Sequence, residues 1–69
     1  MRLAELRTRS GLTQRQVADR MAVRQERVSA IERGDVEALQ LGTLIAYAKA
    51  LGGQVDVHLE VGGERLRVA

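Results

Sequence analysis

Residues 13–34 read TQRQVADRMAVRQERVSAIERG, and the fold is decided by how this stretch is punctuated. Thr13 followed three residues later by Gln16 is a capping-box pattern. In it, the threonine oxygen accepts from the backbone three residues on and the glutamine reaches back to the threonine N–H. The box opens a helix whose inward positions are Val17, Ala18 and Met21, spaced three and four apart as one helical face requires. Ala22 and Val23 form a short turn. A further helix over 24–33 turns Val28 and Ile31 inward, and Gly34 stands where a left-handed C-terminal residue is wanted.

Upstream, residues 2–9 predict a helix with Leu3 and Leu6 on one face, ended at Gly11. Downstream, 35–38 predicts a loop or single turn. From Gly42 to Leu51 a helix follows with Leu44, Ile45, Ala48 and Leu51 inward, stopped by Gly52-Gly53. Then the period changes. Val55, Val57, Leu59 and Val61 alternate with Gln54, Asp56, His58 and Glu60, the repeat of a half-buried strand. Gly62-Gly63 suits a two-residue hairpin turn, and Leu66 and Val68 carry the alternation back. That turn pairs Val61 with Glu64, Glu60 with Arg65, Leu59 with Leu66, His58 with Arg67 and Val57 with Val68. One hairpin face is then apolar and the other polar.

Composition excludes several classes. Sixty-nine residues make one small domain that buries only about 60% of its unfolded surface. With no cysteine and a single histidine, His58, neither disulfides nor thiolate or histidine-cluster metal sites are available. Good helix packing or a second copy must supply the stability. Tyr47 is the only aromatic residue, too few for base-stacking platforms. The apolar run from Leu44 to Leu51 contains Lys49 and is too short to span a bilayer. The start is charged from Arg2 and does not resemble a signal peptide. These features predict a cytoplasmic protein without membrane contact. Charge divides by halves: residues 1–34 carry a net +4 and residues 35–69 a net −2. Ten of the eleven cations are arginine, the better phosphate ligand.

Two short helices joined by a tight turn on a basic surface describe a helix-turn-helix. Leu12-Thr13-Gln14, Val17-Ala18, Gln25, Val28-Ser29 and Ile31-Glu32-Arg33-Gly34 resemble the phage-repressor (Cro-like, xenobiotic-response-element) family over about residues 3–51. The resemblance implies a mainly α fold: a phage-repressor-like bundle of four to five short helices plus a C-terminal β-hairpin. Residues 1–52 would form the DNA-binding domain and 53–69 a hairpin for dimerisation. A helical wheel centred on Val28 and Ile31 points Gln25, Glu26, Ser29, Ala30 and Arg33 outward. Small residues at mid-face allow close approach, and long polar groups at the N-terminal end suit entry into the major groove. With the resemblance, this assigns base contacts to Gln25, Glu26 and Ser29, and phosphate contacts to Gln14, Arg15, Arg24, Arg27 and Arg33. The resemblance also implies a structural salt bridge between Arg7 and Glu32. His58 falls on the polar strand face with no role, and Tyr47 fits either the core edge or an interface.

The chain departs from the family pattern in three places. Ala22 stands where the turn often has glycine, which implies strain or a modified turn. Arg24 replaces the usual Ser or Thr cap of the recognition helix. The 35–38 segment is acidic, with Asp35 and Glu37 where relatives often place basic residues.

An isolated hairpin is marginal in water, so its apolar face (Val55, Val57, Leu59, Val61, Leu66, Val68) must be covered. A second copy or the chain's own helices could cover it, and both arrangements stay open. The C-terminal stretch resembles the end of small antitoxin-like regulators of the HigA-type and related families, in several of which terminal strands join two protomers. The expected function is a dimeric repressor that binds double-stranded DNA at a palindromic operator. The alternative is an antitoxin that neutralises a toxin protein, with DNA binding serving autorepression. An enzyme is disfavoured, because no paired carboxylates, nucleophile set or phosphate-cradling loop is present, and no cofactor is expected.

Overall fold

A computed structural model describes residues 2–69. In chain order the elements are α1 (Leu3–Arg9), α2 (Gln14–Met21), α3 (Gln25–Arg33), a 3-10 turn (Val36–Ala38), α4 (Leu41–Ala50), β1 (His58–Val61) and β2 (Glu64–Arg67). Four α-helices, the short turn and a two-stranded antiparallel hairpin match the expected architecture.

Local chemistry explains most boundaries. At α2 the capping box is complete: Thr13 Oγ1 accepts from the Gln16 N–H at 3.1 Å, and Gln16 Oε1 accepts from the Thr13 N–H at 2.9 Å. Arg24 precedes α3 without any side-chain cap, as its chemistry dictates. Ala22 ends α2 in the left-handed region, φ 57° and ψ 43°, the one non-glycine residue with positive φ among those described. Gly34 ends α3 the same way at φ 79°.

The core is small: Val17, Ala18, Val28, Ile31, Ala38, Tyr47 and Ala50. Leu3, Leu12, Met21, Val23, Ala30, Leu44 and Leu51 pack against it. Three details differ from the sequence reading. Ala30 packs on the core instead of lying in the middle of the outward face. Leu6 is exposed although Leu3 packs inward, because α1 spans only two turns and meets the bundle along one edge. In α4, Tyr47 and Ala50 are buried while Leu44, Ile45, Ala48 and Leu51 are only half-buried. The helix is rotated so that the tyrosine hydroxyl reaches a polar partner, a requirement that apolar spacing does not register.

The hairpin has the expected register: His58 opposite Arg67, Leu59 opposite Leu66, Glu60 opposite Arg65 and Val61 opposite Glu64. Gly62 and Gly63 both have positive φ, 57° and 82°, as a type I′ turn requires. At the open end the Val68 N–H donates to the Val57 carbonyl at 2.8 Å, while the Val57 N–H donates to the Ala69 carbonyl, also at 2.8 Å. Two residues there oppose one, so the ladder ends in a bulge, and the Val57–Val68 pair is displaced from plain pairing. Glu64, opposite Val61, interrupts the otherwise apolar face beside the turn.

Every residue of both strands is exposed. Leu59, Val61, Leu66 and Val68 all lie open, whereas Val55 and Val57 are half-buried. The Cα radius of gyration is 13.4 Å and the extents are 43 × 24 × 22 Å. A compact chain of this length would have a radius of about 11 Å. The hairpin therefore projects from the bundle; folding back onto its own helices is not the arrangement observed.

Candidate nucleic-acid interface

The site is organised around Glu32, in the penultimate position of α3. Its side chain is only 5% exposed, and all four acceptor positions of the carboxylate are used. Oε2 accepts from Arg7 Nε and from the Tyr47 hydroxyl, both at 2.6 Å. Oε1 accepts from Gln14 Nε2 at 2.9 Å and from Arg7 Nη2 at 3.2 Å. Arg7 Nη1 also donates to the Leu12 carbonyl at 3.0 Å. One carboxylate thus ties together α1, α2, α3 and α4. The expected Arg7–Glu32 pair is present, and it is bidentate.

Burial alone would push the Glu32 carboxyl up. Hydrogen bonds from Arg7, Tyr47 and Gln14 outweigh that and hold it below the usual carboxylate range. The same hydrogen bond to Glu32 raises Arg7. Burial first, and the Glu32 hydrogen bond second, push the Tyr47 phenol well up. All three groups therefore keep their forms through neutral pH, and α3 is fixed by an ion pair that does not titrate there.

On the outer side of α3, Gln25 and Glu26 are exposed at the N-terminal end and Ser29 is half-buried one turn on. Ser29 Oγ donates to Gln14 Oε1 at 2.9 Å, and Gln25 Nε2 donates to the same oxygen at 3.3 Å. Gln25, Ser29 and Gln14 therefore form one cluster where the N-termini of α2 and α3 meet. Gln14 is half-buried and committed to protein partners at both ends of its amide.

The expected phosphate ligands divide. Arg15 and Arg24 are exposed and, among the described residues, have no ion pair. Arg27 donates from Nη2 to Thr43 Oγ1 at 3.3 Å. Arg33 pairs with Asp35 at 2.9 Å, both side chains open to solvent, so the acidic loop partly neutralises this end of α3. An exposed pair of this kind contributes at most about 1 kcal/mol, and Arg33 can leave it for a phosphate. Glu60 and Arg65 face each other across the hairpin at 3.7 Å, and Arg67 meets Asp56 at 3.1 Å.

Two polar contacts escaped the sequence reading, which placed Tyr47 at either the core edge or an interface. Tyr47 is part of the core, 2% exposed, with its hydroxyl on Glu32. The only phenol in the chain, three residues after the inward Leu44, was the available signal. Arg20 donates from Nη1 to the Ala50 carbonyl at 2.8 Å, closing the C-terminal end of α4; arginine at an exposed helical position gave no sign of it.

A helix-turn-helix family model matches residues 3–57. The chain belongs to the helix-turn-helix family. Among its curated relatives are proteins of Mycobacterium tuberculosis named as HigA2 and HigA3 antitoxins. HigA2 is 47% identical over 68 residues, spanning 99% of this chain and 67% of that protein. HigA3 is 48% identical over 62 residues, spanning 88% of this chain and 57% of that protein. A solved structure described as induced DNA bending by unique dimerization of HigA antitoxin superposes with a TM-score of 0.84 at 44% identity, covering 97% of this chain and 87% of that one. In this helix-turn-helix chain, no helix among the described residues is long and apolar enough to cross a membrane.

Proposed function

We propose that this helix-turn-helix chain is a sequence-specific double-stranded DNA-binding regulator that acts as a homodimer on a palindromic operator and represses by occluding a promoter. One observation carries the reading. The N-terminal end of α3 presents Gln25 and Glu26 to solvent, while the helix behind them is locked by the four-bonded Glu32 carboxylate. A rigid helix with polar groups at its leading end is what major-groove reading requires. Gln25, Glu26 and Ser29 contact base edges. Arg15, Arg24, Arg27 and Arg33 surround them for the backbone, where charge positions the protein without specifying sequence, and Gln14 has one N–H left beside them for a phosphate. Glu26 would be repelled by phosphates and is useful only beside bases.

The hairpin supplies the second subunit. Its apolar face, open at Leu59, Val61, Leu66 and Val68 and continued by the half-buried Val55 and Val57, is covered by the same face of a second copy, leaving Glu60 and Arg65 outside. A twofold dimer sets two α3 helices about 34 Å apart for two half-sites. The DNA bending and dimerization attributed to the HigA neighbour support this arrangement.

Relatives named as antitoxins favour a second reading: the chain also binds a toxin protein, and DNA binding serves autorepression. In either case it acts by binding in the cytoplasm, with no catalysis and no cofactor. Selection from a random duplex pool tests the primary reading. A palindromic consensus with half-sites one helical turn apart supports it, and no enrichment at low salt refutes it. Co-purification with the product of an adjacent gene tests the second.

A further inference from the structure

Four arginines surround the reading face, and among the described residues only one of them is held by a carboxylate. Arg15 and Arg24 are exposed without an ion pair, and Arg27 rests on the neutral hydroxyl of Thr43. Arg33 Nη2 instead donates to Asp35 Oδ2 at 2.9 Å. The end of α3 dictates that contact. Gly34, at φ 79°, turns the chain back. The Gly34 N–H donates to the Ile31 carbonyl and the Asp35 N–H to the Ala30 carbonyl, both at 3.1 Å. This closure fixes Asp35 beside the helix it follows. The Ala38 N–H, on the Asp35 carbonyl at 2.9 Å, holds it from the other side. A carboxylate there opposes the negative end of the α3 dipole. It therefore does nothing for the helix, and its one ionic partner among the described residues is Arg33.

We infer that Asp35 competes with DNA for Arg33, so that Arg33 grips the backbone only where α3 is seated on its preferred sequence. Asp35 acts through Arg33 and is a positioning residue in this scheme, which rests on the DNA-binding reading above. Arg15 and Arg24 gain a charge partner from any phosphate, whatever the sequence. Arg33 must first give one up. Exchanging one negative oxygen for another gains little unless the new geometry is better. The Asp35 pair uses a single nitrogen of the guanidinium fork, unlike the bidentate Arg7–Glu32 pair. A phosphate fixed in position can engage two nitrogens at once. Base contacts from Gln25, Glu26 and Ser29 would fix it so. On other sequences the chain is held by charge alone and slides along the duplex, and Arg33 stays on Asp35. Asp35 thus weakens binding to the wrong sequence and widens the gap between preferred and random duplex.

The test titrates the full chain, Asp35→Asn and Glu37→Gln against a duplex recovered by selection and against random-sequence duplex, at low salt. Glu37 is exposed in the same turn and makes no ion pair among the described residues. Glu37→Gln therefore removes the same charge without touching Arg33. Asp35→Asn should bind random duplex about threefold to fivefold more tightly per half-site, within the range of an exposed ion pair. On the selected duplex it should tighten by less than about twofold. Glu37→Gln should shift both duplexes by the same smaller factor. Helical circular dichroism and urea midpoints should match the unaltered chain, because the backbone bonds of residue 35 do not involve its carboxylate. Equal tightening of Asp35→Asn on both duplexes, no tightening, or the same result from Glu37→Gln overturns the proposal. Nitrogen relaxation of the Arg33 side chain without DNA gives an independent reading. Its motion should increase in Asp35→Asn and stay unchanged in Glu37→Gln; an Arg33 equally mobile in all three proteins also overturns the proposal. An Arg33 restrained by Asp35 in a chain that selects no sequence would leave that restraint standing and sink the DNA-binding reading instead.

Discussion

The Tyr47 hydroxyl donates to Glu32 Oε2 at 2.6 Å, joining the middle of α4 to the far end of α3. The same oxygen takes Arg7 Nε at 2.6 Å, so the phenol completes the carboxylate's set of partners. Hydrogen bonds to charged groups contribute about 1.5–3 kcal/mol. Tyr47→Phe keeps the ring and removes that bond together with the longer contact of the same hydroxyl to the Leu3 carbonyl at 3.3 Å. It should lower unfolding free energy by about 2 kcal/mol, measured by urea titration, with the slope of the transition unchanged.

Acid should weaken the fold through Glu32. Its folded-state carboxyl lies below its ordinary value, so the stabilisation is complete above the unfolded-state pKa of about 4.3. It is lost as pH falls through the depressed folded value. Thermal midpoints should therefore be flat from pH 7 to about 5 and drop below about 4.5. Glu32→Gln should remove much of that drop. It should also cost about 3 kcal/mol at pH 7 by leaving the enclosed guanidinium of Arg7 without its counter-charge.

Ala22 sits at φ 57°, a conformation that costs a residue with a Cβ about 1–2 kcal/mol. Glycine removes that cost but loses more backbone freedom on folding, an offset of about 0.5–1 kcal/mol. Ala22→Gly should be a net gain of about 0.5–1 kcal/mol, or about 4 °C in the midpoint for a domain of this size, read by calorimetry. An unchanged or lower midpoint would show that the turn bears no strain.

Reading and holding should separate in titrations. Gln25→Ala should relax one base pair per half-site and cost about 1–3 kcal/mol on operator DNA, with little change on random duplex. Arg15→Ala or Arg24→Ala should weaken both duplexes alike. Each should also lower the dependence of log affinity on log salt by about one per half-site.

Leu59 and Leu66 face each other across the hairpin, 55% and 65% exposed. Glutamate at both positions would not disturb the helical core, which neither residue joins. Sedimentation should show monomers with normal helical circular dichroism and much weaker operator binding. Dimers that persist would move the interface to another surface.

Local signals were read from the sequence where one segment contained both halves of the interaction. Thr13 and Gln16 cap each other, and the pairing of Leu59 with Leu66 follows from the Gly62-Gly63 turn alone. Val28 and Ile31 were placed inward by spacing and are fully buried. The orientation of α4 was not legible, because Tyr47 is drawn inward by a carboxylate fifteen residues away. Gln14 looked like a surface group at a helix start; its bonds to Glu32 and Ser29 exist only once α2 and α3 are docked. Amide direction depends on such contacts, and no pattern of residue types encodes it.

Residues 52–54 belong to no helix or strand, yet they are the only chain between the bundle and Val55, where the apolar face of the hairpin begins. In a twofold assembly, the length and bend of this connector fix how far apart the paired α3 helices stand. Insertions or deletions there would retune half-site spacing while leaving both base recognition and subunit pairing intact. The geometry of the operator could then diverge among relatives without any change in the amino acids that meet the bases.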